Sequence, residues 1–214
     1  MLVLKKSKNS LGKAISILKS SGIIICPTDT VYGFLADATN KKAVEKIYEI
    51  KHRPRSKPLP VFVKDLTMAK ELAEINEKQE KVLKKYWPGS YTFILKRKNS
   101  HKNSYKNNHK EVGRTYTTIS TRAEIVVYGV SGYTIALRIP RYAFLQNLLK
   151  KIDRPLVQTS VNISSQPPMK SVKEIVETFG GNKNVGLIID AGNLKKSKPS
   201  KIIDLTGDKL TRLR

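Results

Sequence analysis

Lys51 and Arg53 stand two residues apart in the stretch IYEIKHRPRSKPLPVFV, Ile47 to Val63. Arg55 and Lys57 follow before the next apolar run. Cations at the end of a helix are favoured by its dipole alone. Arg55 and Lys57 lie beyond that reach, and several cations on one loop suit a polyphosphate, arginine by forking onto two oxygens and lysine as a point charge. Arg138 sits inside the apolar pattern YTIALRIP with no acid near it in sequence. A buried arginine is costly without a partner, so it calls for a carboxylate or phosphate from the protein or from a ligand. TSVNISS (159–165) ends an apolar run in hydroxyls and an amide, including Ser160 and Asn162. Such groups orient a substrate rather than move protons, although Ser and Asn are also ordinary turn formers. PTDTVYG (27–33) adds the hydroxyls of Thr28 and Thr30, with Gly33 allowing close backbone approach. A plain capped turn accounts for it equally well.

Other chemistries lack their residues. There is no GxxxxGK[ST] phosphate loop and no GxGxxG. His52, His101 and His109 lie among basic residues, which gives no basis for a Ser-His-acid arrangement. With one cysteine and no clustered carboxylates, a structural zinc site is not expected.

These residues need elements to hold them. Leu11, Ala14, Ile15 and Leu18 recur at helical spacing, with Gly22 as the stop. IIIC (23–26) reads as a buried strand leading into the PTDTVYG loop. Asn40 caps a helix with core face Ala43, Val44, Ile47 and Ile50, and Pro54 ends it. LPVFV (59–63) reads as a strand, residues 66–87 as one or two helices, and YTFIL (91–95) as a strand. IVVYG (125–129) and YTIALRIP (133–140) read as two more strands, followed by a helix over 142–151. PLVQTS (155–160) is a strand that carries Ser160. Ser171 and Glu174 make a capping box for a helix ending near Gly180. VGLIID, KIIDL and a short terminal segment complete the strands. Helices and strands alternate, but several strands follow one another directly. The expected fold class is therefore α/β (α+β), a twisted mixed sheet with helices packed on it, in one domain over 1–214 with its core at about 10–210.

Composition narrows the partners. The 214 residues hold 41 Lys and Arg against 17 Asp and Glu, a net charge of +24. Such a balance favours phosphate-rich partners, nucleic acid first, although a Lys- and Asn-rich composition also tracks an AT-rich genome. Residues 97–110, RKNSHKNSYKNNHK, read as a solvated basic loop insertion. The single Cys26 fits a reducing compartment, so a cytoplasmic location is expected. MLVLKKSKNS is too short in apolar residues for a signal peptide, and no run reaches the roughly 18 of a membrane span.

PTDTVYG, the helix-ending K-x-R-P followed by PL, PGSYTFIL, TIALRIP, TSVNIS and PSKIIDLTG occur in this order from about Ser10 to Leu210. Together they resemble the YrdC family, whose tRNA-modifying members are L-threonylcarbamoyladenylate synthases of the short, single-domain type or with an added domain. The resemblance implies one α/β domain with a basic concave cavity. It implies a reaction joining L-threonine, bicarbonate and ATP into threonylcarbamoyl-AMP with release of pyrophosphate. A partner enzyme of the tRNA threonylcarbamoyl-transfer machinery then passes the group to an adenosine of tRNA. The family's catalytic tetrad falls on Lys51, Arg53, Ser160 and Asn162. Lys51, Arg53, Lys57, Thr134, Asn162 and Ser200 match ATP-binding positions, and Thr30, Arg138 and Ser160 match threonine-binding ones. A Mg²⁺ ion would be carried by the nucleotide, without a dedicated ligand set. Three positions depart from the pattern: His52 stands where the family usually has Gly, Phe62 where longer members often have His, and Lys201 where Thr is usual. The rival readings are a non-catalytic RNA-binding protein on the same fold and a carbamoyl-transfer module of a hydrogenase-maturation protein.

Overall fold

The computed structural model describes residues 1–98, 125–194, 198–207 and 209–214. Most of the basic loop at 97–110, from residue 99 onward, lies outside the described residues. Ten strands form one mixed sheet in the order β1-β8-β2-β3-β7-β4-β6-β5-β9-β10. They are β1 (Leu2–Lys5), β2 (Ile23–Cys26), β3 (Gly33–Asp37), β4 (Val61–Phe62), β5 (Tyr91–Lys96), β6 (Thr134–Arg138), β7 (Leu156–Ser160), β8 (Val185–Asp190), β9 (Lys201–Asp204) and β10 (Thr211–Arg212). The helices are α1 (Lys8–Lys19), α2 (Lys41–Lys51), α3 (Leu66–Leu72), α4 (Glu77–Tyr86), α5 (Ala143–Ile152) and α6 (Val172–Phe179). β4 runs parallel to β6 and antiparallel to β7, so the sheet is mixed at its centre, as the strand-after-strand pattern implies.

Alternation along the strands divides the apolar residues between two cores. Val61, Phe93, Leu137, Val157 and Ile203 pack on one face beneath α2, α3, α4 and α6. Leu35, Phe62, Leu156 and Leu187 pack on the other face beneath α1 and α5. Burying an Ile, Leu or Phe side chain contributes about 1.5–3 kcal/mol, so both layers are strongly held. The second core stops at β4. On that face the side chains of β6, β5 and β9, among them Thr92, Thr134 and Arg138, belong to neither core cluster. Among the described residues no helix packs over this half of the sheet, which carries Arg138.

Local signals behave mostly as their chemistry requires. The Asn40 side chain accepts from Ala43 N at 3.0 Å and starts α2. α1 ends with Ser21 at φ 63°, so the left-handed residue is Ser21 and not the expected Gly22. Ser171 caps α6, but Glu174 bonds Lys170 N at 3.2 Å rather than its cap residue, so only half of the capping box forms. The strand expected at 125–129 does not form. Its backbone instead makes isolated bonds, Tyr128 N to Ala38 O and Leu59 N to Gly129 O. LPVFV shortens to Val61–Phe62, because Pro60 has no N–H for a ladder and Leu59 bonds that loop. Two strands escape the sequence reading. β1 is half exposed and too short to show a period, and β3 starts at the Gly33 assigned to a loop.

Candidate active site

α2 ends by directing its cations into a pocket. His52 has φ 49° and ψ 43°, its N–H bonds Glu49 O, and Arg53 N–H bonds Tyr48 O. This is a Schellman ending with a left-handed residue after the last turn, the conformation that favours glycine. The glycine that the resemblance implies at this position would adopt that conformation without strain, whereas His52 does not. His52→Gly is expected to raise stability by about 0.5–1 kcal/mol, and His52→Val to lower it, in urea titrations. A His52→Gly protein less stable than the parent would overturn this account.

The turn leaves Lys51 buried, at 2% exposure, and aims it across the fold. Its Nζ donates to Ser160 O at 2.6 Å, Asn162 O at 2.8 Å and Asn162 Oδ1 at 2.7 Å. Ser160 Oγ donates to the same Asn162 Oδ1 at 2.7 Å, and Asn162 Nδ2 donates to Gln166 O at 2.6 Å. Lysine has no acceptor, so these bonds settle the amide with its oxygen toward Lys51. Ser164 N bonds Lys51 O at 2.9 Å, which ties the end of α2 to the 161–165 loop. Burial, and then the nearby charge of Arg53, pull the Lys51 pKa down to about 7. The three oxygen acceptors pull the other way, since only the ammonium form can donate to all three.

Arg53 folds back over its own loop, Nε to Lys57 O and Nη2 to Pro58 O, both at 3.0 Å. That fork braces residues 54–58 and leaves Nη1 without a bond. Arg55 does not converge on the site; it pairs with Glu45 on α2 and lies 6.0 Å from the Tyr48 ring centroid. Lys51, Arg53, Ser160 and Asn162 line one cavity of about 280 Å³ together with His52, Lys57, Thr159 and Ser164. The chain thus brings together two stretches more than 100 residues apart in sequence. Lys51 acts as the bolt between them rather than as a loose phosphate cation, while Arg53 Nη1 and Lys57 remain to meet charge. Ser164 Oγ is buried there with no hydrogen-bond partner. The sequence reading did not single it out, since a serine in a polar loop carries no distinguishing signal.

The second cluster sits on the uncovered face. Arg138 is 1% exposed and finds its carboxylate inside the protein: Nη2 meets Asp29 Oδ1 at 2.5 Å. Its Nε donates to Gly89 O at 2.9 Å and its Nη1 to Thr30 Oγ1 at 3.3 Å. Asp29 is 109 residues away, which is why no partner was visible near Arg138 in sequence. Burial pulls the Arg138 pKa down, and the charge and hydrogen bond of Asp29 oppose that shift. Three of five guanidinium protons are engaged, so two remain to hold another anion. Thr28 Oγ1 donates to Val31 O at 2.7 Å, so the Thr30 hydroxyl, 2.9 Å away, donates to Thr28. Thr30 therefore turns its lone pairs to Arg138, and the hydroxyl is pre-oriented. Phe62, the register partner of Arg138, puts its ring centroid 5.5 Å from the guanidinium carbon. An aromatic floor under a cation stands where a histidine contact was the alternative.

Val161 N bonds Tyr32 O and Ser160 pairs with Gly33, so the PTDTVYG loop spans from one cluster to the other. The remaining matched positions stand apart. Thr134 lies at the opposite end of β6 from Arg138. Ser200 bonds Thr92 Oγ1 at 2.9 Å on the β5–β9 side, and Lys201 Nζ lies 5.2 Å from the Tyr91 ring centroid. Among the described residues, no three His, Cys, Asp or Glu side chains are grouped as a metal site.

Comparison with known proteins places this geometry. The family model Sua5_yciO_yrdC, described as telomere recombination, matches residues 16–126 and 114–214. A Methanocaldococcus jannaschii protein is 35% identical over 192 residues, covering 90% of this chain and 78% of its own length. The threonylcarbamoyl-AMP synthase of Psychromonas ingrahamii is 29% identical over 216 residues, covering 99% of this chain and 100% of its own. The crystal structure of P. abyssi Sua5 complexed with L-threonine superposes with a TM-score of 0.80 at 27% identity, over 100% of this chain and 56% of that one. This chain thus spans a little over half of the P. abyssi chain, and its fold is that of the matched part of that protein. On the matched residues and the shared fold, the chain belongs to the Sua5/YciO/YrdC family.

Proposed function

We propose that the protein makes L-threonylcarbamoyl-AMP from L-threonine, bicarbonate and ATP, releasing pyrophosphate, for threonylcarbamoyl-adenosine modification of tRNA. The observation that carries this reading is the single cavity lined by Lys51, Arg53, Ser160 and Asn162. The name of the Psychromonas relative and the threonine held by the P. abyssi protein support it.

The chemistry asks little of proton transfer. A threonine carbamate, itself an anion, must reach the α-phosphorus of a nucleotide triphosphate, so charge neutralisation and in-line placement dominate. Arg53 Nη1 and Lys57 meet the phosphates, while Lys51 keeps Ser160 and Asn162 rigid beside them. Ser160 Oγ has free lone pairs, and Asn162 Nδ2 keeps one free N–H for the reacting groups. Arg138 and Thr30 hold the amino acid by its carboxylate. Thr134 and Ser200 contribute to nucleotide binding from the β6 and β9 side. Mg²⁺ would ride on the nucleotide's phosphates and water rather than on a dedicated set of side chains.

The test is pyrophosphate release with and without threonine and bicarbonate. Release that persists when threonine is omitted would sink the reading. A pH profile adds a second check. The ammonium of Lys51 is the form that makes all three bonds, and it is lost as pH rises through its lowered pKa of about 7. Activity should therefore fall on the alkaline side with a midpoint near 7. Arg53→Gln removes the neighbouring charge that depresses Lys51, so the midpoint should move upward even as the rate drops. A profile unmoved by that substitution would count against Lys51 as the titrating group.

The net charge of +24 fits the tRNA-directed role and a cytoplasmic location, because a labile adenylate must be handed to the transfer machinery on tRNA. No helix among the described residues is long and apolar enough to cross a membrane. We read residues 1–214 as one domain carrying both clusters.

A further inference from the structure

Tyr48 is a buried residue of α2 whose hydroxyl has no part in the proposed chemistry. It is 6% exposed. Its hydroxyl lies 3.2 Å from Lys57 O and 3.3 Å from Gly129 O, so one proton is shared between two carbonyls. Its own carbonyl accepts from Arg53 N at 3.0 Å. Tyr48 thus holds both ends of the loop that carries Arg53 and Lys57. Arg55, the cation that turns away from the cavity, lies against its ring.

The two carbonyls belong to different segments. Lys57 O also takes the Arg53 Nε proton at 3.0 Å, and Lys57 N closes a turn onto Pro54 O at 3.0 Å. Gly129 O also takes the Leu59 N proton at 2.7 Å, just past that turn. Gly129 stands at φ 72°. A Cβ there would lie 2.8 Å from Val44 Cγ1, 3.3 Å from Leu59 Cδ1 and 3.6 Å from Tyr48 Cε2. The backbone at Gly129 therefore rests directly on α2, against Tyr48 and the residue one turn before it, where only glycine fits without strain. Thr134 opens β6 a few residues further on. At the Tyr48 hydroxyl, the cationic loop, the end of α2 and the segment leading to Thr134 meet.

We propose that Tyr48 is a positioning residue of the nucleotide site, clamping the 54–58 loop so that Arg53 and Lys57 are in place before the phosphates arrive. The inference rests on the synthase reading for the identity of the nucleotide. Lys51, Arg53, Arg55 and Lys57 repel one another within one short stretch, KHRPRSK, that has no acid of its own. Neutral bonds to backbone carbonyls oppose that spreading without cancelling the charge that the phosphates need. A loop ordered beforehand spares the nucleotide the cost of ordering it, and the gain is read as affinity. Tyr48 itself touches no substrate; it acts through Lys57 and Arg53.

The experiment compares the parent with Tyr48→Phe, which keeps the ring and its packing and removes only the hydroxyl. It follows ATP binding by calorimetry, and pyrophosphate release as ATP and threonine are varied in turn. ATP binding and the KM for ATP should weaken about three- to tenfold, the range of one neutral hydrogen bond. The kcat and the KM for threonine should change less than about twofold. A role in folding alone would lower the active fraction, and with it the apparent kcat, and leave the KM for ATP where it was. Gly129→Ala, which pushes the other segment off α2, should also raise the KM for ATP. Adding Tyr48→Phe to it should then cost less than the same change costs in the parent, because both act through one clamp. Circular dichroism checks that each variant is folded, and should one of the two fail to fold, the other decides on the KM for ATP. An unchanged KM for ATP in a folded Tyr48→Phe protein, or an equal rise for ATP and threonine, overturns the proposal. The synthase reading fails separately: a parent that binds ATP in a Tyr48-dependent way but releases no threonine-dependent pyrophosphate refutes that reaction and keeps this assignment. A parent that does not bind ATP refutes both.

Discussion

Lys51→Met should lower threonine-dependent pyrophosphate release about 100- to 1,000-fold and destabilise the fold by about 2–4 kcal/mol. Three protein oxygens converge on that ammonium, and methionine fills its stem without offering one donor. Ser160 O, Asn162 O and Asn162 Oδ1 would then share a buried space with no positive charge, a cost set by desolvation rather than by the missing bonds alone. The two effects are linked, since the same bonds seat Ser160 and Asn162 at the cavity. Lys51→Arg should not restore the rate, because a planar fork cannot direct three donors to the corners that the ammonium reaches. Denaturant titration gives the stability change and the pyrophosphate assay gives the rate. Parent-like turnover in Lys51→Met would remove Lys51 from the site altogether.

Arg138→Lys should weaken threonine about 100-fold, seen mainly as a raised KM, with the ATP dependence much less affected. The guanidinium serves Gly89 O, Thr30 Oγ1 and Asp29 at once and still has two protons to offer. A lysine has three protons in all, and Asp29 together with Gly89 would claim most of them. Asp29 also accepts from Arg141 N at 3.1 Å, so it remains anchored when Arg138 is changed. An anchored carboxylate without its guanidinium then repels the carboxylate of the incoming amino acid. Asp29→Asn should therefore recover part of the threonine affinity in the Arg138→Lys background. The double variant, compared with each single one, measures that coupling. An identical KM for threonine in parent and Arg138→Lys would refute the carboxylate role.

Much of the site is visible as residue types in sequence, and its wiring is not. Arg138 announces itself because a guanidinium inside TIALR must be paired, whatever the fold. Its partner could not be read, since Asp29 is an ordinary loop aspartate until the PTDTVYG loop crosses the sheet. The cations of IKHRPRSKP were visible as a cluster, but their directions were not. Arg55 turns back to Glu45, Arg53 forks its own loop, and Lys51 runs inward. Ser164 carried no signal because a single serine in a polar loop means nothing without the burial that leaves its hydroxyl unpaired.

The sequence by itself determined the mixed α/β class, most helices and central strands, and the stretches that carry chemistry. Those follow from local causes: apolar period, caps such as Asn40, and breakers such as Pro54. Even the left-handed ending at His52 follows from the need to stop α2 before a proline. Only the tertiary structure decided which face each strand turns to the open half of the sheet. It also decided that Lys51 reaches residues 109 and 111 positions away, and that Leu2–Lys5 is an edge strand beside β8. The physical reason is that local preferences act over a few residues. Pairings between distant segments depend on the register of all ten strands at once, where a shift of one residue would send Arg138 to the opposite face.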